Sequence, residues 1–189
     1  MTAALQEIQQ QLKAHSTPEA AAASRKFVPG EERIYGVRVP VLNELTRQYK
    51  AGGFELVEAC WEAGSGEEKL IAAKILGLIA KKDPERTLRL VRRFSGQIAN
   101  WAVCDTLGTQ SIKPLVKQYT AEIFALAETL NPSKNFWQRR LSLVLVEWYT
   151  RDKSHHPAIR KLIRARADDP EYYVKKAVEW ISRNLKKGK

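Results

Sequence analysis

Three short elements of this sequence combine aromatic, acidic and basic side chains at spacings of one helical turn. They are Trp101 with Asp105, Trp137 with Arg140, and Tyr172-Tyr173 with Lys176 and Trp180. Read as helix, NWAVCDTLG places Trp101 and Asp105 at i and i+4, on a shared face. FWQRRLSLVLVEW places Arg140 one turn after Trp137, and YYVKKAVEWISRNL places Trp180 one turn after Lys176. A carboxylate opposes a positive charge, and an indole face attracts one through its ring quadrupole. Brought together, Trp101, Asp105 and Trp180 would therefore favour a cationic ligand or transition state. The same residues have a plainer alternative: large aromatics usually pack in cores, and Asp105 could be a surface acid or the partner of a nearby Arg or Lys. Arg139 and Arg140 could form a solvated face, with at least one of the two expected there. Trp61, Trp137 and Trp148 are assigned to the core, Trp137 being the first candidate for an exception.

Helices must position these groups. Asp83-Pro84-Glu85 and Asp169-Pro170-Glu171 each put a capping carboxylate before Pro at the first helical position and an acid in the first turn. Asn131-Pro132 and Thr17-Pro18-Glu19 read similarly, and Ser65-Gly66-Glu67-Glu68 has capping-box spacing. No segment shows sustained two-residue alternation of β-branched residues bounded by hairpin turns. The expectation is about ten helices, with breaks near Pro40, Gly52-Gly53, Gly64, Asp83, Gly96, Pro114, Pro132, Pro157 and Pro170.

An internal period orders them. Trp101 to Trp137 is 36 residues, and Trp137 to Tyr173 another 36. NFWQRRLSLVLVEWY and EYYVKKAVEWISRNL share paired aromatics, a basic pair one turn on, and an apolar stripe; EEKLIAAKILGLIAKK is a weaker relative. Such a period in an all-helical chain predicts stacked helical hairpins, an all-α, HEAT-like solenoid forming one domain over residues 1–189. Equivalent positions then line up in rows: Trp101, Trp137 and Tyr173 in one, Arg140 and Lys176 in a second, Arg139 and Lys175 in a third. Some rows must pack inward. A basic row beside an aromatic one suits a curved groove for duplex DNA.

Composition agrees. The 189 residues hold 32 Lys and Arg against 21 Asp and Glu, a formal charge of +11, which favours a polyanionic partner through counterion release. Solubility tuning or an acidic lipid surface is the alternative reading of charge alone. The N-terminal MTAALQEIQQQLKAHS lacks the pattern of a signal peptide, and no run approaches a membrane span. Cys60 and Cys104 are too few for a disulfide framework and fit a reducing cytoplasm. His155 and His156 fall in an expected loop where solvation is their fate, and no metal or cofactor is expected.

Taken in order, the three elements resemble the AlkD-type DNA alkylation repair enzymes. The similarity runs from about Phe27 through IYGVRVPVLNEL to the C-terminal helix. W-x-x-x-D matches Trp101 and Asp105, W-x-x-R matches Trp137 and Arg140, and the aromatic pair with K-A-x-x-W matches Tyr172, Tyr173, Lys176, Ala177 and Trp180. The resemblance implies a monofunctional glycosylase, a monomer acting on duplex DNA without a cofactor. Its substrates would be cationic N3- or N7-alkylated purines such as 3-methyladenine and 7-methylguanine, and it would leave an abasic site without flipping the base into a deep pocket. It implies Trp101, Asp105 and Trp180 around the lesion's deoxyribose and Arg140 near the DNA backbone. Phe27 aligns with an aromatic that also approaches DNA. The same rows add Arg139, Lys175, Lys176 and Tyr173 to the expected DNA-facing set. The chain ends soon after the Trp180 helix, where relatives often continue; a shorter groove is expected there, with SRNLKKGK giving flexible basic contacts or a frayed end. The competing functions are a non-catalytic HEAT-like module for branched or damaged DNA, and a protein-interaction scaffold.

Overall fold

The computed structural model describes residues 2–30 and 33–187. Its described elements are helices α1 (Ala3–Ala14), α2 (Pro18–Phe27), α3 (Val39–Tyr49), α4 (Gly53–Ala63), α5 (Gly66–Ile79), α6 (Pro84–Ser95), α7 (Trp101–Thr109), α8 (Thr120–Leu130), α9 (Phe136–Val144), α10 (His156–Arg164) and α11 (Tyr172–Lys187). Short 3-10 turns follow several of them, including Lys113–Leu115 and Glu147–Arg151.

Most helix starts follow the capping chemistry of the sequence. Thr17 accepts from the Ala20 amide and Asp83 from the Arg86 amide, each followed by Pro in the first turn. Ser65 and Glu68 form the reciprocal capping box, at 3.2 and 2.9 Å. Gly64 closes α4 with φ +86, a conformation that glycine adopts without steric cost.

Two starts fall elsewhere. Asn131 lies at the C-terminal end of α8 rather than before a new helix, and its side-chain amide donates to Ser142 Oγ and the Leu162 carbonyl. The cap of α9 is Asn135, which accepts from the Trp137 amide at 2.9 Å. Asp169 does not open a helix at Pro170: α11 begins at Tyr172, and the Asp169 carboxylate accepts from the Glu171 amide at 3.1 Å while Arg139 holds it from the side. The expected loop at the two histidines is instead a 3-10 turn running into α10. Both rings are half-buried, and His156 Nε2 lies 2.9 Å from the Thr150 carbonyl. The segment SRNLKK is the end of α11 rather than a flexible tail, while Gly188 and Lys189 lie outside the described residues.

The helices form a two-layer solenoid. α3, α5, α7, α9 and α11 pack side by side in that order, and α4, α6, α8 and α10 back them from the second layer. The 36-residue period extends into the core: Ile71, Leu107 and Leu143 occupy equivalent places on three successive inner helices and all three are fully buried. Such interior rows supply the apolar burial that holds the stack together, at about 25 cal/mol per Å² removed from water. Gly77 lets α5 lie directly against the Gln110 backbone beyond α7. The inner row thereby presents its N-terminal ends, with Trp101, Trp137 and Tyr173, at one level.

Candidate active site

Trp101 opens α7 and Asp105 follows one turn later, with Asn100 capping the helix through the Val103 amide at 2.9 Å. The Trp101 indole Nε1 donates to the Phe27 carbonyl, 2.9 Å away at the end of α2, which fixes the plane of the ring. From the next inner helix, Arg140 reaches across to the carboxylate. Its Nε donates to Asp105 Oδ1 at 2.9 Å and its Nη2 to Oδ2 at 2.8 Å, while Nη1 donates to the Tyr173 carbonyl at 2.6 Å. One arginine thus ties together α7, α9 and α11.

The approach of α7 to α9 depends on Gly108. A methyl group there would come within 2.7 Å of Val144 Cγ1 and 2.9 Å of Leu141 Cδ1. On the other side, Trp137 and Tyr173 stack with centroids 5.0 Å apart, and Phe136 and Tyr172 extend the aromatic column at 4.7 and 5.2 Å. Trp137 is buried and belongs to the core.

These elements enclose a solvent-open cleft of about 330 Å³ lined by Trp101, Asp105, Arg140, Tyr173, Lys176 and Trp180, together with Tyr172 and Arg183. Within the ion pair the Asp105 side chain is 21% exposed and that of Arg140 only 7%, so the carboxylate is the member offered to a ligand. Burial lifts the Asp105 carboxyl above the usual carboxylate range, and the hydrogen bonds and charge of Arg140 restrain that rise. Each carboxylate oxygen receives one bond from Arg140. Of about four lone-pair positions, about two remain. Lys176 is half-exposed; its Nζ donates to Glu179 at 3.0 Å and lies 5.6 Å from the Tyr172 ring. Arg183, one turn after Trp180, was hidden in a basic tail segment; its i+3 spacing from Trp180 is the signal that places it on the cleft face.

Other expected residues lie apart. Phe27 meets Trp101 only through its carbonyl; its ring is 65% exposed and outside the cleft lining. Lys175 is exposed and also outside the lining. The expectation for Arg139 is corrected. Its Nε and Nη2 grip Asp169 at 2.7 and 3.1 Å, and Nη1 donates to the Ser133 and Lys134 carbonyls at 3.0 Å each, within the protein interior. All three guanidinium nitrogens of Arg139 are engaged within the protein, so it acts as a structural rivet. Neither arginine of the pair is a solvated surface residue.

A second, larger cavity of about 550 Å³ lies between α2, α3, α5 and α7 and shares Trp101 as a wall. Its lining is mainly apolar, and the buried Glu67 there is occupied by the amides of Tyr35, Gly36 and Val37. Burial pushes the Cys60 thiol up to about 12 and that of Cys104 well above the thiol range, which leaves neither as a nucleophile near neutral pH. Among the described residues no group of three or more His, Cys, Asp or Glu side chains is placed to hold a metal ion, and no helix is long and apolar enough to cross a membrane.

A family model described as "DNA alkylation repair enzyme" matches residues 8–188. A solved structure described as a predicted DNA alkylation repair enzyme from Enterococcus faecalis superposes with a TM-score of 0.80 at 19% sequence identity. The match covers 92% of this chain and 84% of that one, and shows a shared fold. Among curated proteins none matches the sequence significantly.

Proposed function

Since the chain belongs to the DNA alkylation repair enzyme family, we propose that it is a monofunctional DNA glycosylase that hydrolyses the N-glycosidic bond of cationic N3- or N7-alkylated purines in duplex DNA. The observation that carries this reading is the Asp105 carboxylate, held by Arg140 and partly exposed, in one cleft with the indoles of Trp101 and Trp180.

Alkylation at N3 or N7 gives the purine a formal positive charge, so it leaves readily. As the glycosidic bond lengthens, its electron pair passes to the base and neutralises it. Positive charge then develops on the deoxyribose, water adds at the anomeric carbon and loses a proton, and an abasic site remains. Asp105 faces the developing charge and has free lone pairs to orient the water, while the indoles of Trp101 and Trp180 add cation–π attraction. A carboxylate about 4 Å from a unit cation at an effective dielectric of 20 contributes roughly 4 kcal/mol. Arg140 offsets part of that, and a differential of about 2.7 kcal/mol, or about a hundredfold in rate, is the scale we assign to Asp105. The cleft lining contains no histidine and no second carboxyl group to protonate a neutral leaving group, and Lys176 is paired with Glu179. This composition supports selectivity for lesions that are already charged.

Other roles follow from position. Arg140 orients the carboxylate, and any phosphate contact it makes uses N–H groups left over from that task. Lys176 and Arg183 in the cleft, with exposed Lys175, neutralise phosphates; Tyr173 and Phe27 offer aromatic surface to the DNA. The test is base release: purified protein incubated with methylated duplex DNA should liberate 7-methylguanine and 3-methyladenine. A folded, DNA-bound protein that liberates neither overturns the reading. The alternative, a module that binds branched or damaged DNA without breaking a bond, draws on the same ion pair, because a carboxylate neutralised by arginine is a weaker catalyst. It would show tight junction binding and no activity sensitive to Asp105→Asn.

A further inference from the structure

Trp148 follows neither pattern seen for the other tryptophans. One side packs on the core, as its place beside Tyr149 suggests, yet the residue is only half-buried. Its Nε1 donates to the Thr109 carbonyl at 3.0 Å, which fixes the ring at the C-terminal end of α7. Two exposed cations lie against that ring: Lys113 Nζ at 4.9 Å and the Arg151 guanidinium carbon at 4.6 Å from the centroid. The buried Glu147 steers Arg151 at 3.1 Å and is itself held by the Asn184 amide at 3.2 Å. Among the described residues Lys113 forms no ion pair.

The position of this cluster gives it meaning. Trp101, Asp105 and Thr109 are spaced i, i+4 and i+8, so the Thr109 end of α7 continues the face that carries the cleft. From Asp105 to Thr109 is about 6 Å of helix axis, so the Trp148 cluster, bonded to the Thr109 carbonyl, lies a little over one turn of α7 beyond the Asp105 carboxylate. A duplex whose damaged strand lies over Asp105 and whose minor groove faces the Thr109 end of α7 would carry its second backbone toward this cluster.

We propose that Lys113, Trp148 and Arg151 form a second phosphate-binding site, which grips the backbone of the strand opposite the lesion. The site rests on the reading of the Asp105 cleft as the lesion site. A phosphodiester is the ligand that suits it: two cations lie against one ring, and the contacts with the indole hold two otherwise mobile side chains ready before binding, which lowers the entropic cost. Lys74, whose Nζ donates at 3.1 Å to Gln110 three residues before Lys113, extends the positive charge toward α5.

The double variant Lys113→Gln/Arg151→Gln tests this by duplex affinity measured between about 50 and 200 mM salt. The slope of log affinity against log salt should become shallower by about 0.9 per lost contact, or about 1.8 in all. Single-turnover base release at saturating protein should match the wild type, and a single-stranded oligonucleotide, having one backbone, should bind both proteins with equal slopes. Trp148→Leu keeps the charges but frees them, so duplex affinity should drop severalfold with the slope unchanged. Arg89→Gln on the outer helix α6 removes a charge elsewhere and should leave the slope alone. An unchanged duplex slope in the double variant overturns the proposal, as does an equal change of slope on single strands. A wild type that releases no base but shows the duplex-specific slope change would remove the glycosylase reading and keep the site as a DNA contact. A wild type that releases bases while the double variant's slope stays put would do the reverse, and a wild type without salt-dependent DNA binding overturns both.

Discussion

Asp105 and Arg140, 35 residues apart in sequence, meet through two parallel hydrogen bonds, one to each carboxylate oxygen. The pair joins successive inner helices, and its negative member is the more exposed. That arrangement lets one contact stabilise the repeat stack while leaving carboxylate lone pairs for a ligand. Each function can be perturbed separately.

Asp105→Asn keeps the shape and removes the charge. Single-turnover base release should fall about a hundredfold. Duplex affinity should hold steady or rise, since the Arg140 cation is then uncompensated beside the phosphates. A parallel loss of affinity and rate would instead point to a binding role.

Arg140→Met removes the restraint on a carboxyl whose burial already raises its pKa. The proposed reaction needs the ionised form, so the rate should fall as pH drops through that pKa. The acid limb of the pH–rate profile should therefore lie above the usual carboxylate range in the wild type and move to still higher pH in the variant. Breaking a buried pair also costs about 3–5 kcal/mol of stability. Urea unfolding at neutral pH checks the second effect and a single-turnover pH series the first.

Arg139→Met should affect stability alone. Burial works to raise the Asp169 carboxyl, but hydrogen bonds from Arg139 and the Glu171 amide, with the charges of Arg139 and Arg166, bring it below the usual carboxylate range. A depressed folded-state pKa means the stabilisation is complete above the unfolded-state value and fades as pH falls through the folded one. Loss of about 3 kcal/mol at pH 7 is expected, shrinking in strong acid, with base release by the remaining folded protein unchanged.

How much of this was legible in the sequence differs residue by residue. Ser65, Thr17 and Asp83 announce their helices because a cap acts over three residues, and Trp101 and Asp105 share a face because a helical turn is equally local. Arg139 and Arg140 are adjacent in the chain and look equivalent, but their partners Asp169 and Asp105 come from other repeats. Only tertiary packing separates the rivet from the site. Asn131 reads as a cap before Pro132 for the same reason: its real partners, Ser142 and Leu162, lie on helices still to come. Trp148 reads as core because nothing near it in sequence reveals that Lys113 will lie against its ring.

Gly108→Ala offers a test of helix spacing. The added methyl meets Val144 and Leu141, so α7 must withdraw from α9 or its neighbours must repack, at a cost of about 1–3 kcal/mol. Because those two helices carry Asp105 and Arg140, base release should fall more than Tm alone suggests, and a single-turnover rate measured well below the variant's Tm would show it.

Trp180→Leu keeps an apolar wall but removes the ring face. A cation–π contribution of about 1–2 kcal/mol corresponds to a rate loss of about 5- to 30-fold. Undamaged duplex DNA should bind as before.

The bond from the Trp101 indole to the Phe27 carbonyl has one more outcome. With its only N–H already engaged by the protein, that ring has nothing to donate to the edge of a base and can meet DNA only through the face of its π system. Such a surface is indifferent to nucleobase identity. Any preference among purines would then show up as how fast a bond breaks, with damaged and intact duplexes held almost equally well until it does.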